Sequence, residues 1–166
     1  MNTRSSECIR RLAETLIDHS CQLQAGEKIL IEAFDLPEPD LVCALVELAA
    51  ERNAIPVVSW KNNAILRSLY RTGTSESLSL CGSLERHQME QMDCYVGIRG
   101  AANSNAFADV PADQMDLYQQ HWWHTVHSEI RVSQTRWVVL RYPTASMAQS
   151  AQMSTEAFED FFFDVC

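Results

Sequence analysis

The sequence has few basic residues and almost no runs of them. Lys and Arg number 13 against 22 Asp and Glu, the net charge is -9 at pH 7, and no basic run extends beyond Arg10-Arg11. Nucleic acids and anionic membrane surfaces both need clustered cations on the protein that binds them. We therefore expect no nucleic-acid partner and no membrane partner.

Long apolar runs and paired cysteines are missing as well. The N-terminus lacks the charged, apolar, small-residue order of a signal peptide, and even the apolar stretch "LVCALVELAA" carries Glu47. The six cysteines are scattered and form no C-x-x-C pair. Several lie within apolar patterns, where a reduced cysteine behaves as a small hydrophobic residue. The sequence therefore predicts a cytoplasmic protein with reduced cysteines.

Sequence motifs for phosphate binding and nucleophilic catalysis are also absent. The chain contains neither G-x-G-x-x-G nor G-x-x-x-x-G-K-[ST], which disfavours dinucleotides and nucleoside triphosphates as ligands. It contains no G-x-S-x-G, and no serine or cysteine stands beside a clearly paired base. From its residues alone, the chain offers no complete catalytic centre, so we predict no catalytic residue.

What the sequence does contain is four apolar strands that alternate with helices. The strands are "KILIEAF", "AIPVVSW", "DCYVGIRG" and "RWVVLRYPT", and the near-continuous apolar run of the first is typical of a parallel sheet buried on both faces. Alternating strands and helices favour right-handed βαβ crossovers. We predict a single α/β domain over 1–166, Rossmann-like, with a mostly parallel sheet of about four or five strands and helices on both faces.

Hydrophobic periodicity places the helices. We predict them at 5–23, 41–52, about 111–132 and 153–166, with one or two more between the second and third strands. In the last helix, the spacing of Phe158, Phe161, Phe162 and Val165 puts all four on one stripe that needs a surface to pack against.

Candidate ligand-binding residues follow the third and fourth strands. In parallel sheets ligands usually bind beyond the carboxyl ends of the strands. Arg99, Asn103 and Asn105 follow the third strand, and Arg141 ends the fourth. An arginine with carboxamides at such an edge can hold a peptide backbone or a carboxylate. The same residues also suit an ordinary polar loop.

Three histidines in "HWWHTVH" could suggest a metal site. His121, His124 and His127 stand at i, i+3 and i+6, and imidazoles suit zinc or copper. On an α-helix, however, the outer two lie about 120° apart around the axis, so one helix does not easily direct all three at one ion. We therefore favour a structural role for the histidines and predict no metal ligand here.

Three ordered segments resemble a known family. "LIDHSCQLQAGEKILIEAFD", "LVCALVELAAERNAIPVVSW" and "SEIRVSQTRWVVLRYPTASMAQSAQMSTEAFEDFFFDVC" are similar to the N-terminal domain of the aminopeptidase T family, the thermophilic or leucyl aminopeptidase-like metallopeptidases. The resemblance runs in order over nearly the whole chain, and its most specific part is the last segment from Arg136 onward.

The resemblance implies a homodimeric, two-domain enzyme that removes N-terminal residues from peptides. Two divalent ions, zinc or cobalt, activate a water in such enzymes. Family ligands are Glu, His and Asp residues of the C-terminal domain, and none of those positions falls within 1–166. The resemblance therefore implies a truncated chain that binds no metal and is inactive alone. It leaves Arg99, Asn103, Asn105 and Arg141 as candidate peptide contacts.

Two other hypotheses remain open from the sequence. In the first, the chain is a stand-alone binding or dimerisation module without catalysis. In the second and weaker one, the chain is a metal-binding protein built on the three histidines.

Overall fold

The computed structural model describes residues 3–165, and the side chains of 6–165. Four strands form one sheet in which every neighbouring pair is parallel, in the order β2-β1-β3-β4. This confirms the predicted α/β class and gives the sheet four strands. The strands are β1 (Lys28–Phe34), β2 (Ile55–Lys61), β3 (Cys94–Arg99) and β4 (Arg136–Arg141).

Helices connect the strands and cover both faces of the sheet. Between β2 and β3 there are two helices, and the long helix before β4 is one continuous element of three parts. The first helix is α1 (Thr3–Glu14), which continues as a π-helical segment over Thr15–Ser20. The long helix consists of α5 (Ala112–Tyr118), a π-helical segment (Gln119–Arg131) and α6 (Val132–Gln134). The other helices are α2 (Asp40–Glu51), α3 (Asn63–Thr72), α4 (Ser75–Met89), α7 (Ala145–Ser150) and α8 (Thr155–Val165).

The central strand β1 separates two hydrophobic cores because its side chains alternate between the faces of the sheet. Ile29, Ile31 and Ala33 pack with residues of α1 and α2 in the first core. Leu30 and Phe34 pack with residues of α3, α4 and the long helix in the second core. Between them on this second face stands Glu32, which is 1% exposed. A carboxylate is thus built into the interior of the domain.

The long helix crosses α4 at very short range. Gly82 of α4 lies against its backbone, and a Cβ atom at this position would stand 2.5 Å from the carbonyl oxygen of His121 and 2.9 Å from Cα of Trp122. The helix was predicted over about 111–132. Its existence is confirmed, but residues 119–131 are wound as a π-helix, a form that is rare and frequent at functional sites.

The C-terminal helix α8 buries a different set of aromatic residues from the one predicted. Phe158 is buried, and Phe162 and Phe163 pack against the first core. Phe161 is 53% exposed and Val165 is 65% exposed, so the predicted stripe of four is wrong for these two. Phe163 turns inward, where its ring meets that of Tyr142, just after β4, edge-on with 6.4 Å between the ring centroids. Cys166, which the prediction included in this helix, lies outside the described residues.

Two further observations concern the hydropathy of the helices and the state of the cysteines. Within residues 3–165, no helix is both long and apolar enough to cross a bilayer. Five of the six cysteines are described and all five are free thiols, two of them, Cys21 and Cys94, fully buried.

Candidate ligand-binding site

Two cavities lie side by side at the carboxyl edge of the sheet. The first, about 330 Å³, is enclosed by the ends of β1 and β2 together with α3, α4 and the long helix, and we call it the aromatic cavity. The second, about 320 Å³, lies between the loops that follow β3 and β4, and we call it the arginine cavity. Four residues line both cavities and form their common wall. They are Phe34, Asn63, Arg99 and Phe107.

The arginine cavity brings together three of the four predicted site residues. Arg99 and Arg141 are direct partners in the β3–β4 register, and both line the cavity with Asn103. The guanidinium of Arg99 also stacks on the ring of Phe34, with 3.7 Å between its carbon and the ring centroid. The strand ends thus place two cations next to each other at one site.

The two asparagines have different positions. The side-chain oxygen of Asn103 accepts the backbone N–H of Asn105 at 2.9 Å, which closes an Asx turn in the loop after β3. Asn105 itself is exposed and is not part of the cavity lining. The plain-loop interpretation therefore suits Asn105, whereas Asn103 both shapes the loop and faces the cavity.

The arginine cavity carries a positive charge that the domain does not neutralise. No Asp or Glu lines it, and across the part of the chain described here neither Arg99 nor Arg141 has a carboxylate within ion-pair distance. Such an unneutralised concave site favours anions.

One side of the aromatic cavity is a wall of stacked rings, while charged side chains line its floor. Tyr70 and Tyr118 lie 4.0 Å apart between ring centroids, and Trp122 meets Tyr118 edge-on at 5.7 Å. Desolvation by these walls raises the pKa of both tyrosines, so they stay neutral. The walls are suited to an apolar or aromatic group.

Beneath the aromatic cavity lies a buried network of four charged side chains. The ammonium of Lys61 is 2.6 Å from Oε1 of Glu32 and 2.7 Å from Oε2 of Glu85. Arg131 Nη2 is 3.3 Å from Oε2 of Glu32 and 3.1 Å from Oε1 of Glu85. Two cations and two anions alternate, so the network is neutral as a whole. Tyr95 completes it by donating its hydroxyl to Oε2 of Glu32 at 2.7 Å.

The charges of this network hold each other in the ionised form. Burial by itself raises the pKa of Glu32, but Lys61 and Arg131 outweigh it and lower that pKa below its ordinary value. Burial likewise lowers the pKa of Lys61, and the two carboxylates outweigh it and raise that pKa. Glu32 and Lys61 are therefore both charged at neutral pH.

Sequence reasoning missed this network, although one signal was available. Glu32 stands inside the apolar strand "KILIEAF", and a carboxylate in a strand buried on both faces needs a cationic partner. Nothing local identifies the partners. Lys61 ends another strand, and Arg131 is 99 positions away in the chain.

The three histidines of the long helix diverge. Nδ1 of His121 lies 3.0 Å from the hydroxyl of Ser79, and Nδ1 of His124 lies 3.4 Å from Oε1 of Glu129. His127 stacks on Trp123 with 4.5 Å between ring centroids. Burial, with Arg131 and Arg99 nearby, lowers the pKa of His127. Among the described side chains, no group of three His, Cys, Asp or Glu is arranged to hold a metal ion.

A parallel sheet with cavities at its carboxyl edge defines an α/β domain of the ligand-binding type. The family model of the thermophilic metalloproteases (M29) matches residues 5–166. The chain belongs to this family, which confirms the resemblance to the aminopeptidase T family.

Comparison with solved structures supports the fold. Wild-type AmpT from Thermus thermophilus matches with a TM-score of 0.65 and 16% sequence identity, over 95% of this chain and 42% of the AmpT chain. This chain therefore spans less than half the length of that protein. The enoyl reductase CurK matches with a TM-score of only 0.36 at 10% identity, over 94% of this chain and 48% of its own. No curated protein matches the sequence.

A metalloprotease family implies divalent metal, and a metal centre needs carboxylate, imidazole or other donors that are free to face the ion. The carboxylates of Glu32 and Glu85 are each engaged by both Lys61 and Arg131, whose positive charges oppose a bound cation. The arginine cavity has no carboxylate lining at all. The donors of these two cavities therefore do not fit a two-metal centre.

Proposed function

We propose that this chain is the N-terminal α/β domain of a metal-dependent aminopeptidase, which hydrolyses N-terminal residues from peptides. Family membership over residues 5–166 supports the assignment. The match covers 42% of the AmpT chain, which supports a whole protein with a further domain. In this proposal that further domain binds two divalent ions, zinc or cobalt. No step of the hydrolysis is assigned to residues 1–166, and the chain by itself is inactive.

In this proposal the chain contributes peptide binding. The observation that carries it is the pair Arg99 and Arg141, adjacent in the β3–β4 register and without carboxylate partners in the described chain. Guanidinium groups hold carboxylate and carbonyl oxygens through several directed hydrogen bonds. Asn103 adds a carboxamide to the same cavity.

The natural polypeptide that contains this chain provides the test. It is isolated with an antibody against residues 1–166, identified by peptide mapping, and assayed on leucyl 4-nitroanilide with and without a chelator. We expect hydrolysis that a chelator abolishes and that zinc or cobalt restores. A polypeptide without peptidase activity that still binds peptides would support the alternative of a non-catalytic binding or dimerisation module.

We further propose that the protein is a cytoplasmic homodimer, as the family resemblance implies. Sedimentation equilibrium of the same natural polypeptide measures its assembly directly, and we expect twice the mass of one chain. Cell fractionation measures its location, and we expect it in the soluble fraction. A monomer, or recovery with membranes, would contradict this proposal.

A further inference from the structure

We propose that the two cavities form one site for the carboxyl-terminal residue of a short peptide, with its carboxylate on Arg99 and Arg141 and its aromatic or large apolar side chain in the aromatic cavity. This rests on the proposed function, because it names the part of a peptide substrate that the chain holds. We therefore expect this site to prefer peptides whose carboxyl termini are free and unblocked.

The anionic half of the site is defined by charge. Arg99 and Arg141 end neighbouring strands, and neighbouring strands in a sheet run about 4.8 Å apart. Neither has an ion-pair partner among the described side chains, and no acidic residue lines the cavity. Two adjacent guanidinium groups with unused donors match the planar oxygens of one carboxylate.

The apolar half of the site is defined by its walls and its position. A volume of about 330 Å³ is at the lower end of small-molecule cavities, which suits one side chain better than an extended ligand. The indole N–H of Trp122 is already donated to Glu85 at 3.0 Å, so this ring presents an apolar surface. Four charged side chains line the floor of this cavity in oppositely charged pairs, so their charges cancel there, and they are Glu32, Lys61, Glu85 and Arg131.

Arg99 connects the two halves. It lies in the wall that both cavities share, where its guanidinium stacks on Phe34. A carboxylate bound by Arg99 is therefore next to the opening of the aromatic cavity. In an amino acid only one carbon separates the carboxylate from the side chain, so a carboxyl-terminal residue can fill both halves. A phosphate ligand is less well matched, since no glycine-rich phosphate loop is present in the sequence.

The test measures binding of blocked dipeptides to the chain by isothermal titration. N-acetyl-leucyl-phenylalanine has no free amine to present to an aminopeptidase, so its binding is measured independently of hydrolysis. We expect it to bind at least about tenfold more tightly than its carboxamide, and about tenfold more tightly than N-acetyl-leucyl-glycine. One charge-assisted hydrogen bond accounts for a factor of this size.

Variants link the preference to the arginines. Arg141→Gln is expected to bring the affinity of the acid down to that of the carboxamide. Arg141 is exposed, so this change does not threaten the fold. Arg99→Lys keeps the charge but loses the paired donors, and we expect a smaller loss. The matched control Arg11→Gln, at an exposed arginine of α1, should leave the preference unchanged.

Three results would overturn the proposal. They are equal affinity for acid and carboxamide, a preference that survives Arg141→Gln, and tighter binding of free phenylalanine than of the blocked dipeptide. The last would assign the site to a free amino acid. None of these bears on chelator-sensitive hydrolysis by the natural polypeptide, so failure here is distinct from failure of the proposed function.

Discussion

The ammonium of Lys61 lies 2.6 Å from Oε1 of Glu32, a carboxylate that is 1% exposed in the central strand. The pair links β2 to β1 directly beneath the aromatic cavity. Both side chains were taken out of water on folding, and burying charges is costly unless each one is paired and hydrogen-bonded. In the network with Arg131 and Glu85 every charge is paired with an opposite one, and among the described residues only Nε of Arg131 is buried without a hydrogen-bond partner.

Removing one charge from this network should therefore be costly. Glu32→Gln leaves Lys61 and Arg131 facing each other with one anion fewer, and we expect the free energy of unfolding to fall by about 3–5 kcal/mol. Urea unfolding followed by circular dichroism measures the loss. The control is Glu51→Gln, the same chemical change in a surface pair with Arg10, which should leave the unfolding midpoint almost unchanged. Equal effects of the two changes would contradict the buried network.

The same network predicts how stability depends on pH. The pKa of Glu32 is lowered in the folded state, so its contribution is present above about pH 4.3, the ordinary carboxyl value, and is lost as pH falls through the lowered pKa. The pKa of Lys61 is raised, so its contribution is present below about pH 10.4 and is lost as pH rises through the raised value. We expect the free energy of unfolding to decline outside this window.

A conservative variant tests the acid side of that profile. Tyr95→Phe removes the hydroxyl that hydrogen-bonds Glu32 and helps to lower its pKa. The decline on acidification should still begin near the ordinary carboxyl value, but it should end at a higher pH and be smaller in total than in the unmodified protein, because the folded-state pKa is then closer to the unfolded one. Urea unfolding at intervals between pH 3 and 7 measures the size of the decline. A decline as large as in the unmodified protein would show that this hydrogen bond does not act on the carboxylate.

Close packing of α4 on the long helix gives a further prediction. Gly82→Ala adds a methyl group that meets backbone atoms of His121 and Trp122, which cannot rotate away. We expect a net destabilisation of about 1–3 kcal/mol from overpacking, despite the better helix propensity of alanine. Ser83→Ala, at the exposed next position of α4, raises helix propensity and removes only the exposed hydrogen bond from the Ser83 hydroxyl to the carbonyl oxygen of Leu80, so it should be neutral or slightly stabilising. A stable Gly82→Ala protein would mean that the helices do not cross this closely.

Cysteine reactivity provides a prediction about the first core. Cys21 and Cys94 are buried, and contact with the thiol of Cys94 together with burial raises the pKa of Cys21. Contact with Cys21 lowers the pKa of Cys94, so for Cys94 protection comes from burial alone, whereas at Cys21 the raised pKa also disfavours the reactive thiolate. Both should therefore resist iodoacetamide in the folded protein. Cys43 is exposed and should be alkylated first. Peptide mass spectrometry before and after denaturation measures the order, and early alkylation of Cys21 would contradict the packing.

The backbone framework was largely predictable from the sequence. The alternation of apolar strands with helices gave the α/β class, and Phe34, Arg99 and Arg141 end their strands close to the expected positions. Such local features depend on periodicity and turn residues, which a single sequence displays directly. The gathering of Arg99, Asn103 and Arg141 at one edge also followed from parallel strand ends, and their role in binding stays a prediction.

What could not be predicted depends on contacts between distant parts of the chain. The pairing of Glu32 with Arg131 requires knowledge of how the long helix lies on the sheet. The inward turn of Phe163 in place of Phe161 depends on Tyr142, outside the helix that carries them. Periodicity identifies an apolar face only to within a residue or so, and the packing partner decides the rest.

We propose that residues 1–166 bind peptide but do not themselves hold the catalytic metal centre. The decisive measurement is hydrolysis of leucyl 4-nitroanilide by this chain supplied with zinc or cobalt. We expect a rate equal to that of the metal alone, with or without a chelator. Hydrolysis above that background, abolished by the chelator and restored by metal, would contradict it.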